Sequence, residues 1–167
     1  MTRIFVDADA CPVREEIYRV AARTRLEVLV VYNGSRPIRP PQQAGVQMVI
    51  VPEGPDAADD WIADRIEPPD ICVTADIPLA KRCLEKGARA LGHAGRAWTG
   101  DNIGSALAGR EIARHLREVG APGGGHASFT QTDRSKFIAG LDAAIVQVRR
   151  AGTQALLARR APPPDRP

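Results

Sequence analysis

The acidic residues of this 167-residue chain carry its most chemically suggestive pattern. Asp7-Ala8-Asp9 follows the apolar run Ile4-Phe5-Val6, Asp56-Ala57-Ala58-Asp59-Asp60 follows a second apolar stretch ending at Val51, and Asp76 follows Ile71-Cys72-Val73-Thr74. Each group falls where a strand gives way to a helix. Residues two apart along a strand face one side, so Asp7 and Asp9 share a side if extended geometry continues past Val6. On a helix, positions i, i+3 and i+4 share a face, which gathers Asp56, Asp59 and Asp60. Carboxylates brought together repel one another and are driven towards protonation. A hard divalent cation relieves that repulsion, and an all-oxygen donor set suits Mg²⁺ or Mn²⁺. The pattern predicts metal ligation by Asp7, Asp9, Asp56, Asp60 and Asp76, and catalytic work for Asp7, Asp59, Asp60 and Asp76. Helix capping competes with this reading, because Asp is a favoured N-cap and carboxylates are stabilised in a first turn. Capping accounts for Asp9, Asp56 or Asp76 taken singly. It explains less well Asp7, which ends a strand, or Asp59 and Asp60 together.

An alternation of strands and helices positions these clusters. Apolar strands are expected over 3–7, 26–32, 46–51, 71–74 and 88–91, with a first helix that holds Pro12 in its first turn and further helices from Asp56 to about Arg65 and from Asp76 to Gly87. Such alternation is the signature of a parallel sheet with right-handed crossovers. Ligands of such sheets bind beyond the carboxyl ends of the strands, where the acidic groups lie. Val13, Ile17, Val20 and Ala21 form the buried stripe of the first helix, and Asn33-Gly34 opens a Pro- and Arg-rich loop. After Gly92 a loop holding His93, Arg96 and Trp98 leads to a helix from about Asn102 to Val119. Its Ala108, Ile112, Leu116 and Val119 are expected to face inward, with Arg110, Arg114 and Arg117 striped elsewhere. A Gly-rich connection over 120–125 precedes a last helix, capped by Thr132, that buries Phe137, Leu141, Ala144, Ile145 and Val148. The expectation is one three-layer α/β domain over 1–150, with about five parallel strands and two C-terminal helices, followed by a flexible Pro-rich tail over 151–167.

Asn33, Lys81 and Arg134 are the expected substrate contacts: Asn33 on the same rim, Lys81 one turn past Asp76, and Arg134 beside the Gly-rich loop. Turn chemistry, solvation and a simple helix start are their respective alternatives. Thr74 could orient a metal-bound water or could serve as a half-buried strand residue. The histidines are scattered and form neither a Ser/His/Asp nor a metal-His pattern. With 44% hydrophobic and 26% charged residues the composition is globular. Aromatic residues make up only 4%, which argues against stacking platforms for single strands. A net charge of +3 permits a phosphate-bearing partner. The three cysteines lack C-x-x-C spacing, so neither a disulfide framework nor a zinc site is expected, and a reducing cytoplasm fits. No apolar signal core or run of ~20 apolar residues is visible.

Asp7-Ala-Asp-Ala-Cys-Pro12, Asp56-Ala-Ala-Asp-Asp-Trp-Ile-Ala63, Thr74-Ala-Asp-Ile-Pro-Leu-Ala80, Lys86-Gly-Ala88, Asn102-Ile103 and the segment through Phe129, Asp133-Arg134 and Phe137 resemble the YaiI/YqxD family of bacterial proteins. The likeness covers roughly residues 1–150. It implies a PIN-like fold, the architecture of many metal-dependent ribonucleases, which place an Asp after the first strand, an acidic residue on a middle helix and an Asp after the fourth strand. Asp7, one or more of Asp56, Asp59 and Asp60, and Asp76 match those places. The chain departs from the family's habit at His93-Ala94 and Trp98, where a Pro-Arg pair and a Tyr are common. The leading expectation is a metal-dependent nuclease that hydrolyses phosphodiesters, RNA rather than DNA. One alternative is a phosphatase of the haloacid dehalogenase type with Asp7 as nucleophile, although Asp59-Asp60 precede Lys81 where that family's acidic pair follows its Lys. Another is a non-catalytic RNA-associated module that binds a metal ion.

Overall fold

Ile4, Phe5 and Val6 expose no surface, because β1 (Arg3–Asp7) runs through the middle of the sheet. The structure is a computed structural model that describes residues 1–118 and 128–160, the side chains of 116–118 excepted. β1 pairs in parallel with β2 (Glu27–Tyr32) on one side and β4 (Ile71–Val73) on the other. β3 (Val46–Ile50) extends the sheet beyond β2, and β5 (Arg89–Leu91) extends it beyond β4. The order is β3-β2-β1-β4-β5, all parallel.

Side chains alternate across a strand, and the two faces meet different helices. Ile4, Val6, Val28 and Val30 pack against α1 (Arg14–Thr24) and α5 (Gln131–Arg160), through Ile17, Val20, Phe137, Leu141 and Ile145. Phe5, Leu29 and Val31 pack against α2 (Ala57–Arg65) and α3 (Ile77–Glu85), joined by Ile103 from α4 (Gly100–Glu118). Cover on both faces is why the strands read as continuous apolar runs. The β1-α1-β2 connection lies on one face and β4-α3-β5 on the other, so the winding reverses between β1 and β4. That reversal opens a crevice at the carboxyl ends of these two strands. At their opposite ends, buried Asp70 accepts from Arg3 N at 2.9 Å, Arg3 Nη2 at 2.7 Å and Glu67 N at 3.0 Å, fixing β1 to the start of β4.

Several elements differ from expectation. Pro12 precedes α1, in a turn where Ala10 takes φ +66. Ile112 is 62% exposed and Ala108 is exposed as well, because α4 touches the core only through its first turn. An apolar stripe records that a helix has an apolar side, not that anything covers it. Leu116, Arg117, Val119 and the Gly-rich connection lie outside the described side chains. α5 is capped by Thr130 rather than Thr132: Asp133 N donates to Thr130 Oγ1 at 3.1 Å while the Asp133 carboxylate accepts from Thr130 N at 2.9 Å, a reciprocal capping box. The helix then runs past Gly152 to Arg160, beyond the boundary expected at 150, although its last buried side chain is Val148. Backbone hydrogen bonding carries it where burial stops; residues 161–167 lie outside the described residues.

The loop after β5 is held tightly. Trp98 N donates to the Ala90 carbonyl at 2.9 Å, laying this segment along the outer edge of β5. Gly95, at φ +85, lies against α5 at Gly140, so close that a Cβ on either glycine would overlap backbone of the loop or the helix.

Candidate carboxylate site at the switch point

Asp7 is the last residue of β1, two along from Phe5, and so shares the face that meets α2 and α3. Fully buried Thr74, just past β4, donates its hydroxyl to Asp7 Oδ2 at 2.8 Å and accepts from Asp76 N at 2.9 Å. Asp76 Oδ1 in turn accepts from Leu79 N at 2.9 Å and caps α3. A chain of hydrogen bonds therefore crosses the crevice from β1 to α3. Asp7 Oδ1 and Asp76 Oδ2 keep no hydrogen bond among the described residues.

The electrostatics mark the same place. Burial, reinforced by the charges of Asp76 and Asp9, pushes the Asp7 carboxyl up to about 6 against the pull of the Thr74 hydrogen bond. Burial together with Asp76, Asp7 and Asp56 pushes Asp59, in the first turn of α2, up to about 7, with Arg82 opposing. Three elements thus bring Asp7, Asp59 and Asp76 into mutual repulsion. Asp56 occupies the N-cap position of α2 without making a side-chain cap, and its charge adds to that repulsion. Asp9 stays exposed, with Oδ2 accepting from Asn33 N at 3.3 Å.

The side chains of the remaining expected residues are engaged elsewhere. Asp60 turns towards α3, where its carboxylate meets Arg82 Nη1 at 2.7 Å. The Asn33 side chain closes a local turn by accepting from Ser35 N at 2.9 Å. Exposed Lys81 stands 3.9 Å from Glu85 along its own helix. Arg134 braces the start of α1, donating to the Pro12 carbonyl at 2.7 Å and to Glu16 Oε1 at 3.2 Å.

A cavity of about 400 Å³ opens at the switch point, lined by Asp7, Asp9, Asp76, Ile77, His93 and Arg110. His93 follows β5, and its Nε2 is buried without a hydrogen-bond partner. Burial lowers its pKa, keeping the imidazole neutral. Sequence reasoning set His93 aside as scattered, although it follows a strand as the acidic groups do. Arg110 belongs to the arginine stripe of α4 and forms no ion pair among the described residues. A larger groove of about 850 Å³ between β5 and α5 is lined by Ala90, Ala144, Val148 and Trp98. It is mainly apolar and gathers no titratable cluster, so the chemistry belongs to the smaller cavity.

The carboxylate oxygens that Asp7, Asp9 and Asp76 bring to the cavity fit a hard divalent cation, and burial with nearby like charge drives Asp7 towards protonation. Among the described residues no three His, Cys, Asp or Glu side chains stand where they could directly ligate one ion. The fit is therefore to an ion that keeps much of its water, the habit of Mg²⁺.

The fold and crevice define a doubly wound α/β protein with an acidic site at its switch point. The chain belongs to the YaiI/YqxD family: residues 5–147 match the family described as "Uncharacterized BCR, YaiI/YqxD family". A UPF0178 protein of Rhodospirillum rubrum is 56% identical over 147 residues, covering 88% of this chain and 97% of its own length. UPF0178 proteins of Parvibaculum lavamentivorans and of Caulobacter sp. (strain K31) are 53% and 51% identical, each covering 90% of this chain and 97% and 98% of their own. No solved structure matches the chain.

Proposed function

We propose that this protein is a divalent-metal-dependent phosphodiesterase acting on nucleic acid, RNA in preference to DNA. The observation that carries the reading is the convergence of Asp7 and Asp76, bridged by Thr74, with Asp59 near enough to feel both charges; burial, and then this like charge, raises the affinity of Asp7 and Asp59 for protons. No such assembly is needed to stabilise the fold, and capping accounts for only one oxygen of Asp76. The matching order of acidic positions in PIN-like ribonucleases supports the same reading and the preference for RNA.

Asp7 Oδ1 and Asp76 Oδ2 are the free oxygens that would hold Mg²⁺ or Mn²⁺, with Asp9 at the rim. When bound, the ion supplies an activated water and offsets the charge that develops on the phosphate. Thr74 holds Asp7 in one orientation by its hydroxyl, and Asp59, which feels the charges of Asp76 and Asp7, would orient the attacking water. A reducing, cytoplasmic setting accords with three free and buried cysteines. No helix among the described residues is long and apolar enough to cross a membrane.

The test is cleavage of a panel of RNA and DNA substrates with Mn²⁺, Mg²⁺ or EDTA, by the native chain, Asp7→Asn and Asp76→Asn. Metal-dependent cleavage lost in both variants is expected. Cleavage that persists in EDTA or in Asp7→Asn refutes the assignment. A covalent phosphate on Asp7 would establish phosphatase chemistry instead, and metal-dependent stabilisation without cleavage a binding module.

A further inference from the structure

The cavity is not lined by carboxylates alone. Arg110 from α4 and His93 from the loop after β5 line it together with Asp7, Asp9 and Asp76. Arg110 pairs with none of those carboxylates and with no other described residue, and its charge is absent from the influences on Asp7. The guanidinium therefore shares the cavity with carboxylates without reaching them. On the same helix, by contrast, Arg114 is engaged by Glu111 at 2.7 Å. The segment that carries His93 is fixed by the Gly95–Gly140 approach, so the imidazole is positioned even though its Nε2 has no protein partner.

We infer that Arg110 and His93 form a phosphate-binding wall, so that a phosphate of the substrate strand seats between them and the carboxylates. The inference rests on the proposed metal-dependent action on nucleic acid and names the substrate contacts of that site. A space lined both by carboxylates and by a guanidinium that pairs with none of them matches an occupant that presents a cation to the first and an anion to the second. A phosphate carrying a divalent ion is such an occupant. The planar guanidinium fork binds phosphate oxygens in bidentate fashion, and His93 lines the same cavity. The cavity, at about 400 Å³, falls within the range of ligand sites. α4 beyond Ile103 buries little, so Arg110 is dispensable for folding.

The experiment separates phosphate binding from metal binding. Affinity for a short single-stranded RNA with non-cleavable phosphorothioate linkages is measured by fluorescence anisotropy, with Ca²⁺ as the ion, across a salt series. Mn²⁺ affinity is measured separately by calorimetry without RNA. Arg110→Gln should weaken RNA binding about tenfold and lower the salt slope by about one, since one charge-assisted phosphate contact is lost. Mn²⁺ affinity should stay unchanged. Arg110→Lys should recover part of the binding, and His93→Ala should weaken it less than Arg110→Gln. Arg19→Gln, the same charge change on exposed α1 surface, should leave binding intact. RNA binding by Arg110→Gln equal to the native chain overturns the inference, as does an equal loss in Arg19→Gln. So does a loss of Mn²⁺ affinity in Arg110→Gln, which would place the residue with the metal. A native chain that binds Mn²⁺ but no RNA overturns the functional reading and this inference together; failure of Arg110→Gln alone leaves that reading standing.

Discussion

Asp7→Asn should make the metal-free protein more stable at neutral pH. Asn nearly matches Asp in shape, and its amide oxygen still accepts the Thr74 hydroxyl. What disappears is a carboxylate that burial and the charges of Asp76 and Asp9 push from 3.8 up to about 6. The folded chain holds the Asp7 proton more tightly than the unfolded chain does. The destabilisation is therefore absent below about pH 4, grows as the unfolded group ionises, and is complete once pH passes the folded value of about 6. At ~1.4 kcal/mol per tenfold in proton affinity, the displacement corresponds to about 3 kcal/mol. The part of Asp7 that meets solvent reduces this to about 2 kcal/mol, or about 4–8 °C in Tm for a chain of this size. Removing the charge also relieves Asp59, which feels Asp7 directly. Thermal and urea denaturation of both proteins in EDTA, between about pH 4.5 and about pH 8, should show the variant's advantage opening as pH rises. Mn²⁺ should then raise the Tm of the native chain and leave the variant nearly unmoved. A variant equally or less stable at about pH 8 in EDTA, or an advantage independent of pH, would refute the reasoning.

Other substitutions probe the supports of the site. Thr74→Val keeps the shape but leaves Asp7 and Asp76 N without the hydroxyl; a loss of about 1–3 kcal/mol in urea denaturation is expected, with weaker Mn²⁺ binding by calorimetry. Asp70→Ala has the opposite sign to Asp7→Asn, because it strands Arg3 and two backbone amides; about 3–5 kcal/mol should be lost in the same assay. Gly140→Ala drives a methyl into Gly95, and about 1–3 kcal/mol should be lost, with weaker RNA binding as His93 shifts. Gly152→Ala meets open space within α5 and should add about 0.5–1 kcal/mol of helix stability; circular dichroism showing no helical gain would contradict a helix that continues to Arg160.

Much of the fold was legible because it depends on local pattern. The apolar runs around Ile4, Val28, Val49 and Cys72 mark strands, and the stripe Phe137, Leu141, Ala144, Ile145 and Val148 of α5 is buried as spaced. The same logic misplaced Ile112, since its spacing on α4 says nothing about whether a neighbour exists to cover it. Thr130 and Thr132 are equally plausible caps by type; only the reciprocal bond with Asp133 separates them. In the acidic set, Asp59 and Asp60 are adjacent and chemically alike. The packing leaves Asp59 under the charges of Asp76 and Asp7, whereas Asp60 pairs with Arg82.

Sequence by itself determined the parallel α/β class, the family and the place of each acidic group at a strand-to-helix junction, because residue type and junction position are local properties. Tertiary structure alone decided the strand order, and with it that β1 and β4 are neighbours across a switch point. From that adjacency came the Thr74 bridge between Asp7 and Asp76, and the meeting of His93 and Arg110 with those carboxylates around one cavity. These residues lie far apart along the chain, and their encounter depends on how sheet and helices pack, which no spacing within a single segment encodes.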